Sequence, residues 1–135
     1  MTRRLLDTTF LIDYWTGTDA TEAFLTATAE ESEYITTTLN LKELAVGKQL
    51  QGTNDPAVLK STFDWVRIVP FELEHALRAG EFEAELFRSD TYTRRQIDAL
   101  PGDVLVAAVA SELDARVVTR NVDDFSAFGV AVESY

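Results

Sequence analysis

The stretch LLDTTFLID, Leu5 to Asp13, decides how this chain folds. A short apolar run stops at Asp7, two threonines follow, and an amphipathic segment resumes at Phe10. Ligands of an open α/β sheet bind just beyond the carboxyl ends of its strands, so an acid at this point can hold a cation. The same acid can equally cap a helix that begins at Thr8. The stretch therefore predicts a strand and then a helix, with either a ligand or a cap between them.

The 135-residue chain has the size and composition of a single globular domain, residues 1–135. It has 46% hydrophobic residues and ordinary numbers of glycine and proline, so it can bury its own core. The lack of cysteine excludes disulfides and thiolate metal sites, and a single histidine argues against a histidine-rich zinc site. No apolar run approaches ~20 residues and no signal-peptide segment is visible, so we expect a soluble, cytoplasmic protein with no membrane partner.

The net charge of −11 admits two explanations. The chain has 23 acidic and 12 basic residues, whereas nucleic-acid-binding proteins are usually basic. The acids can form a solvated surface suited to high salt, or some of them can converge on metal ions that invert the local field. Composition leaves both explanations open.

Apolar and β-branched patterns predict strands that alternate with helices. The predicted strands are Arg4–Asp7, Tyr34–Thr38, Trp65–Val69, Arg116–Thr119 and Val130–Glu133. The predicted helices are Thr18–Ala29, Asn40–Gln51, one opened by Pro56, Glu72 to about Phe87, and Asp103–Leu113, with Arg88–Pro101 as a loop or a frayed extension. This alternation predicts an α/β fold, a three-layer α/β/α sandwich with a central parallel sheet and right-handed crossovers.

Four acids fall at one edge of this predicted sheet. Asp7 ends the first strand, Glu43 lies in the first turn of the helix after the second strand, and Asp124 follows the fourth strand. Asp103 opens the helix that leads into the fourth strand, and a right-handed crossover starts that helix at the same edge. Mg²⁺ and Mn²⁺ prefer carboxylate oxygens, and two such ions can activate water for phosphodiester cleavage.

Each acid also has a purely structural explanation. Glu43 can complete a capping box with Asn40, Asp103 can complement a helix dipole, and Asp124 can stabilise a turn. Taken together, however, four unneutralised carboxylates in one cleft would repel one another unless a cation bound there. Their joint placement therefore favours a metal site.

The motifs that contain these acids resemble, in order and over essentially the whole chain, those of PIN-domain nucleases. The motifs are Leu6–Thr9, the threonine-rich strand that leads to Glu43 and Leu44, Asp103–Ala108, and Val118–Phe125. They are most similar to the VapC-type toxin ribonucleases of type II toxin–antitoxin pairs. The resemblance implies a PIN-like fold and metal-assisted hydrolysis of RNA phosphodiester bonds.

The resemblance also implies roles for individual residues. Asp7, Glu43, Asp103 and Asp124 would be the catalytic acids that hold Mg²⁺ or Mn²⁺. The residues expected to orient these carboxylates or a bound water are Thr8 or Thr9, Thr119 and Asn121. Arg120 would face phosphate or solvent.

Several acids compete for these positions. A glycine precedes Asp103 where the family usually has another residue, and Asp98 is a rival five positions upstream; the apolar helix that follows Asp103 favours Asp103. Asp124 directly precedes a phenylalanine, as in the family, and is preferred to Asp123. Asp13 is expected to be a solvated residue of the first helix or to support the site from outside.

The resemblance further implies a cognate antitoxin that covers the acids with a basic side chain, and a homodimer is expected. The helix with Phe24–Leu25 and the helix Asn40–Gln51 are the expected partner surfaces. His75 is expected to be structural or exposed. The arginines that can contact RNA, or simply form a solvated surface, are Arg88, Arg94 and Arg95.

Two other function classes remain. An aspartyl-nucleophile phosphatase or a receiver-like domain would need further acids near Asp7 and a lysine late in the chain, whereas position 9 is threonine and the last lysine is Lys60. A non-catalytic PIN-like binding module would not need all four acids.

Overall fold

The computed structural model describes residues 1–135 and contains one five-stranded sheet. The strands are β1 (Thr2–Leu6), β2 (Ser32–Thr37), β3 (Arg67–Val69), β4 (Arg116–Val118) and β5 (Val132–Glu133). The helices are α1 (Thr8–Thr16), α2 (Asp19–Thr28), α3 (Thr38–Leu50), α4 (Pro56–Thr62), α5 (Leu73–Arg88), α6 (Arg94–Asp98) and α7 (Pro101–Glu112), with 3₁₀ segments at Ala29–Glu31 and Val122–Phe128. The strand order is β3-β2-β1-β4-β5 and every pairing is parallel. The predicted α/β sandwich with a parallel sheet is confirmed.

The core lies on both faces of the sheet, because successive side chains of a strand point to opposite faces. Leu5 belongs to a cluster with α5 and α7, and Leu6 belongs to a second cluster with Phe10 and Leu11 of α1. In α7, every residue from Val106 to Ala110 is buried, which matches its nearly all-apolar sequence. This packing fixes the end of β1 and the start of α7 relative to each other. None of the helices has the length and apolar character needed to cross a membrane.

Helix α1 begins directly after β1, and Asp7 is its N-cap. The carboxylate accepts a hydrogen bond from the backbone N–H of Phe10 at 3.2 Å, as expected of an N-cap aspartate. The helix ends at Gly17, whose φ of +81° lies in the left-handed region that favours glycine. Asp7 therefore has the structural role that the sequence suggested as an alternative, and this role leaves a second oxygen for other contacts.

Helix α3 begins two residues earlier than the sequence predicts. Thr37 ends β2 and caps the helix, because its hydroxyl accepts a hydrogen bond from the backbone N–H of Asn40 at 3.1 Å. The predicted capping box of Asn40 and Glu43 is therefore wrong, and Glu43 lies in the second turn, not the first. Threonine favours both strands and helix N-caps, so a run of three threonines hides the boundary.

The segment Arg88–Pro101 contains more regular structure than the predicted loop. Helix α5 continues to Arg88. Helix α6 is capped at its N-terminus by a reciprocal capping box between Thr93 and Gln96. Helix α7 begins at Pro101, two residues before the predicted start, so Asp103 is the third residue of the helix and not its first. Strands β3 and β5 are also shorter than predicted.

Arginines and glutamates form ion pairs across the strands: Arg67 and Arg116 are the first residues of β3 and β4, and Glu133, the last residue of β5, pairs with Arg4 and Arg116. Arg4, whose side chain is 8% exposed, pairs with Glu133 and with Glu31, each at 3.1 Å. Glu33 bridges Arg3 at 3.2 Å and Arg67 at 3.1 Å. We call the full set the amino-edge network: Arg3, Arg4, Arg67, Arg116, Glu31, Glu33 and Glu133.

Candidate active site

The four acids singled out in the sequence line one cleft at the carboxyl edge of the sheet. The cleft has a volume of about 120 Å³, and its walls also include Thr8, Thr9, Asn40 and Asn121. We call it the acid cleft, defined by Asp7, Glu43, Asp103 and Asp124. The rival acids Asp98 and Asp123 do not line it.

Asp7 is the most firmly held of the four. Its Oδ1 accepts a hydrogen bond from the hydroxyl of Thr9 at 2.6 Å in addition to the one from Phe10. Burial raises the pKa of the Asp7 carboxyl, and the hydrogen bonds from Thr119, Thr9 and Phe10 oppose that rise. Because α1 depends on this cap, the position of the carboxylate is set by the fold.

Glu43 is exposed but is connected to the interior by hydrogen bonds. The hydroxyl of Thr8 donates to Glu43 Oε2 at 2.9 Å, and the amide Nδ2 of Asn40 donates to Thr8 Oγ1 at 3.1 Å. The hydroxyl of Thr37 in turn donates to Asn40 Oδ1 at 2.6 Å. This role of Asn40 is not apparent from the sequence, in which the residue has the position of a helix cap. A buried threonine three positions upstream is the signal that would have placed Asn40 inside the helix, facing α1.

The pKa of Asp103 is affected by all three other acids of the cleft. Burial raises its pKa to about 6, and the negative charges of Asp124, Glu43 and Asp7 add to the rise. None of the four acids forms a salt bridge with a basic residue. The acid cleft is therefore a concentration of negative charge that the protein does not neutralise itself.

The oxygen ligands of the acid cleft suit a hard divalent cation, since Mg²⁺ and Mn²⁺ prefer carboxylates. In this conformation, however, no group of three or more acidic or histidine side chains is close enough to hold an ion. The chemistry of the cleft fits such a cation, and its spacing would have to tighten around one.

Two threonines join the β4 end to the β1 end beside the cleft. The hydroxyls of Thr9 and Thr119 lie 3.4 Å apart, and the backbone N–H of Arg120 donates to Thr9 Oγ1 at 3.2 Å. The backbone N–H of Asn121 donates to Thr119 Oγ1 at 3.0 Å. Thr9 and Thr119 thus hold in place the loop that carries Asn121 and leads to Asp124.

Asp13 differs from the sequence expectation, because it pairs with Arg120, whose own side chain remains 52% exposed. Arg120 Nε lies 3.2 Å from Asp13 Oδ2, and the hydroxyl of Tyr135 donates to the same oxygen at 2.7 Å. The side chain of Asp13 is only 14% exposed, so the expectation that it is solvated is wrong. Burial and the hydrogen bond to Asp13 raise the pKa of Tyr135. These partners are distant in sequence, and no local pattern indicates their contact.

The three arginines considered as RNA contacts are held to different degrees. Arg88 pairs with Glu85 at 2.9 Å. Arg94 pairs with Asp98 at 3.3 Å and lies over the ring of Phe87 at 5.0 Å. Arg95 is exposed and forms no salt bridge.

His75 is structural. It is buried, and its Nδ1 accepts a hydrogen bond from the backbone N–H of Glu72 at 2.9 Å at the start of α5. The only histidine of the chain therefore takes no part in the acid cleft.

Known structures with this fold include several toxin–antitoxin complexes. The chain is similar to a chain of VapBC from Salmonella typhimurium bound to DNA, with 20% identity, coverage of 99% of this chain and 98% of that one, and a TM-score of 0.79. It is similar to VapBC2 from Rickettsia felis bound to a promoter DNA fragment, with 18% identity, 99% coverage of each chain and a TM-score of 0.78. For FitAcB from Neisseria gonorrhoeae the identity is 22%, the coverage 96% and 95%, and the TM-score 0.75.

At these identities the solved structures establish the fold, and the sequence establishes the family. No curated protein matches the chain significantly. The family model of the PIN domain matches residues 4–130, a span that begins within β1 and includes the acid cleft and β4. With the parallel sheet and the four acids in place, the chain belongs to the PIN domain family.

Proposed function

We propose that this protein is a metal-dependent endoribonuclease and the toxin of a toxin–antitoxin pair. The observation that carries the proposal is the acid cleft, where four carboxylates have no basic partner and where burial, together with the charges of the other three acids, raises the pKa of Asp103 to about 6. Such a cleft is stabilised by binding a divalent cation. Membership of the PIN family and the likeness to chains of toxin–antitoxin complexes support the same reading. RNA as the substrate places the activity in the cytoplasm.

In this proposal the acids of the cleft hold Mg²⁺ or Mn²⁺. When bound, the ion supplies activation of water and stabilisation of the charge that develops on the phosphate. Asp7 provides a carboxylate that is already fixed by the cap of α1, and Asp103 and Asp124 provide carboxylates from the other side of the cleft. Thr9 and Thr119 hold these two sides together, and Asn121 is placed to contact substrate or water at the rim.

The test is cleavage of RNA with Mn²⁺ by the wild-type protein and by the Asp7→Asn and Asp103→Asn variants. We expect each variant to lose at least about 100-fold in rate, since even outer-sphere changes at metal sites cost 10- to 100-fold. Asp98→Asn is the matched control, because Asp98 lies outside the cleft. Equal activity of wild type and both cleft variants would contradict the proposal and favour a non-catalytic PIN-like binding module.

The groove between α1 and α3 supports an antitoxin as partner. It has a volume of about 140 Å³ and is lined by Ile12, Trp15, Leu44 and Lys48 among others, and Glu43 lines both this groove and the acid cleft. A peptide segment in this groove would reach the acid cleft with a basic side chain. The other expected surface is less suitable, because Phe24 and Leu25 of α2 pack against the core. Co-purification with the product of an adjacent small gene, and its loss in Trp15→Glu, would test the assignment.

A homodimer is supported by apolar side chains at the start of α5. Leu73 is 69% exposed and Leu77, one turn later, is 62% exposed. Neighbouring exposed leucines of this kind are more typical of an interface than of solvent. Light scattering should give twice the monomer mass for wild type and the monomer mass for Leu77→Glu.

A further inference from the structure

Glu43 is the acid of the cleft that its own backbone constrains least. It is exposed, it has three rotatable side-chain bonds, and α3 positions only its Cα. The chain Thr37–Asn40–Thr8, which we call the relay, is what connects its carboxylate to the buried structure. Asn40 is 2% exposed and Thr37 is fully buried, so the inner part of the relay is fixed by packing.

The proton of each relay hydrogen bond has a defined direction. Asn40 Oδ1 accepts from the Thr37 hydroxyl, which leaves Nδ2 as the group that faces Thr8. An amide nitrogen can only donate, so Thr8 Oγ1 accepts from Asn40. The single hydroxyl proton of Thr8 is then free to point to Glu43 Oε2. The buried amide therefore determines that Thr8 donates to the glutamate.

The other carboxylate oxygen of Glu43 faces α7. A Cβ built on Gly102 would lie 3.4 Å from Glu43 Oε1, so this oxygen approaches the backbone immediately before Asp103. With Oε2 held by Thr8, Oε1 is directed to the side of the cleft where Asp103 lies.

We infer that Asn40 is a positioning residue, which acts through Thr8 to hold the Glu43 carboxylate in place for a divalent cation. The inference rests on the proposed function for the cation. Unlike the four acids of the cleft, Asn40 carries no acidic group, and it is not among the residues that the sequence motifs single out.

The first test uses the Mn²⁺ affinity of the RNA-free protein, measured by electron paramagnetic resonance of the unbound ion. Asn40→Asp keeps the size of the side chain but replaces the donor by an acceptor, so Thr8 turns its proton away from Glu43. Thr8→Val removes the hydroxyl, and Thr8→Ser restores it. We expect 10- to 100-fold weaker binding in Asn40→Asp and Thr8→Val and near-wild-type binding in Thr8→Ser.

Thr38→Val is the matched control for these variants. Thr38 is exposed at the start of α3 and takes no part in the relay, so its Mn²⁺ affinity should equal that of wild type. Thermal unfolding of each variant shows whether the fold is retained. If Asn40→Asp does not fold, the three Thr8 and Thr38 variants decide the question.

A second readout needs no metal. In an NMR spectrum of the metal-free protein, the side-chain amide protons of Asn40 should exchange slowly with solvent in wild type and Thr8→Ser. In Thr8→Val one of them loses its acceptor, and we expect its resonance to move upfield. A role of Asn40 in packing alone would not produce a change that Thr8→Ser reverses.

The outcomes separate this inference from the proposed function. If Glu43→Gln and Thr8→Val both weaken Mn²⁺ binding but wild type does not cleave RNA, the proposed function fails and the inference stands. If Glu43→Gln weakens binding and Thr8→Val does not, the inference is overturned. The same holds if Glu43→Gln leaves Mn²⁺ affinity unchanged, because the relay would then have no ligand to position.

Discussion

The two ends of the sheet treat charge in opposite ways. At the amino ends of the strands, the amino-edge network combines four arginines with three glutamates in direct ion pairs. At the carboxyl ends, the acid cleft combines four acids with no basic partner. The net charge of −11 is thus not spread evenly over the protein. The charges of the amino-edge network are paired within the protein, whereas the acid cleft has no basic partner of its own.

This difference separates charges that stabilise the fold from charges that reduce its stability. Arg4 and Glu133 form the largely buried pair of the amino-edge network, and removal of one member leaves an unpaired charge. The acids of the cleft repel one another, and either a bound cation or protonation relieves that repulsion. Substitutions at the two ends should therefore have different signatures.

The largest effect on stability is expected at Arg4. Replacement by methionine in Arg4→Met keeps the aliphatic packing but leaves Glu133, whose side chain is 19% exposed, without its closest partner. We expect a loss of about 3 kcal/mol in the free energy of unfolding, measured by urea denaturation. Mn²⁺ affinity should not change, because Arg4 lies at the opposite end of the sheet. A parallel loss of Mn²⁺ binding would show that the two ends are coupled.

A comparable effect, but on function, is expected at Asp124. Asp124→Asn removes one acid of the cleft and should lower Mn²⁺ affinity and RNA cleavage by at least about 100-fold. Asp123→Asn is an unusually close control, since it makes the same change one residue away and outside the cleft. If Asp123→Asn has the larger effect, the family position was assigned to the wrong aspartate.

Asp103→Asn should remove the cost of burying a charged carboxylate among other acids, and so give a gain in stability. The pKa of Asp103 is about 6 in the folded protein and 3.8 in the unfolded chain. Between these two pH values the folded chain therefore binds more protons than the unfolded chain. Stability of the metal-free protein therefore falls as pH rises from about 4 to about 6, and the amide variant avoids that loss. We expect the melting temperature of Asp103→Asn to exceed that of wild type by a few degrees at pH 7, since each kcal/mol gained in the free energy of unfolding raises it by ~2–4 °C. The two temperatures should converge near pH 4.

Saturating Mn²⁺ should reverse this order at pH 7, because a ligand that binds only the folded state stabilises it. A variant that stays more stable than wild type in the presence of Mn²⁺ would indicate that Asp103 does not contribute to ion binding.

The smallest effect is expected at the arginines of α6. Arg95→Ala should raise the KM for RNA about threefold and reduce the salt dependence of binding by about one phosphate contact. Arg94→Ala should do less, because Arg94 is already paired with Asp98 and stacked on Phe87. Equal and negligible effects would mean that both are solvated surface residues.

The sequence predicted the sheet and the four acids because both depend on local and repeated signals. A strand that ends at Asp7 and an apolar helix that follows Asp103 can be recognised without knowing any distant contact. The bounds of α3 were less accessible, since the threonines before it suit a strand and a cap equally well. As a result Glu43 was placed one turn too early and Asn40 was given the wrong role.

Contacts between distant segments were not predictable. The pairing of Arg120 with Asp13, and the hydrogen bond of Tyr135 to the same carboxylate, arise only when β4, α1 and the last residue come together. The absence of basic partners around the cleft likewise depends on where each arginine points. Composition gave the excess of acid, and the fold alone determines its location.

A substitution at Gly102 offers a second way to neutralise the acid cleft. The missing side chain of Gly102 faces Glu43 Oε1 at the entrance to α7, and its backbone has no need for glycine. Gly102→Lys would place an ammonium group on a flexible arm at the mouth of the acid cleft. A chain with that single change would carry its own counterion in the acid cleft. Under the proposed function, the absence of a side chain at position 102 keeps the cleft open to a cation and to the basic side chain of a partner.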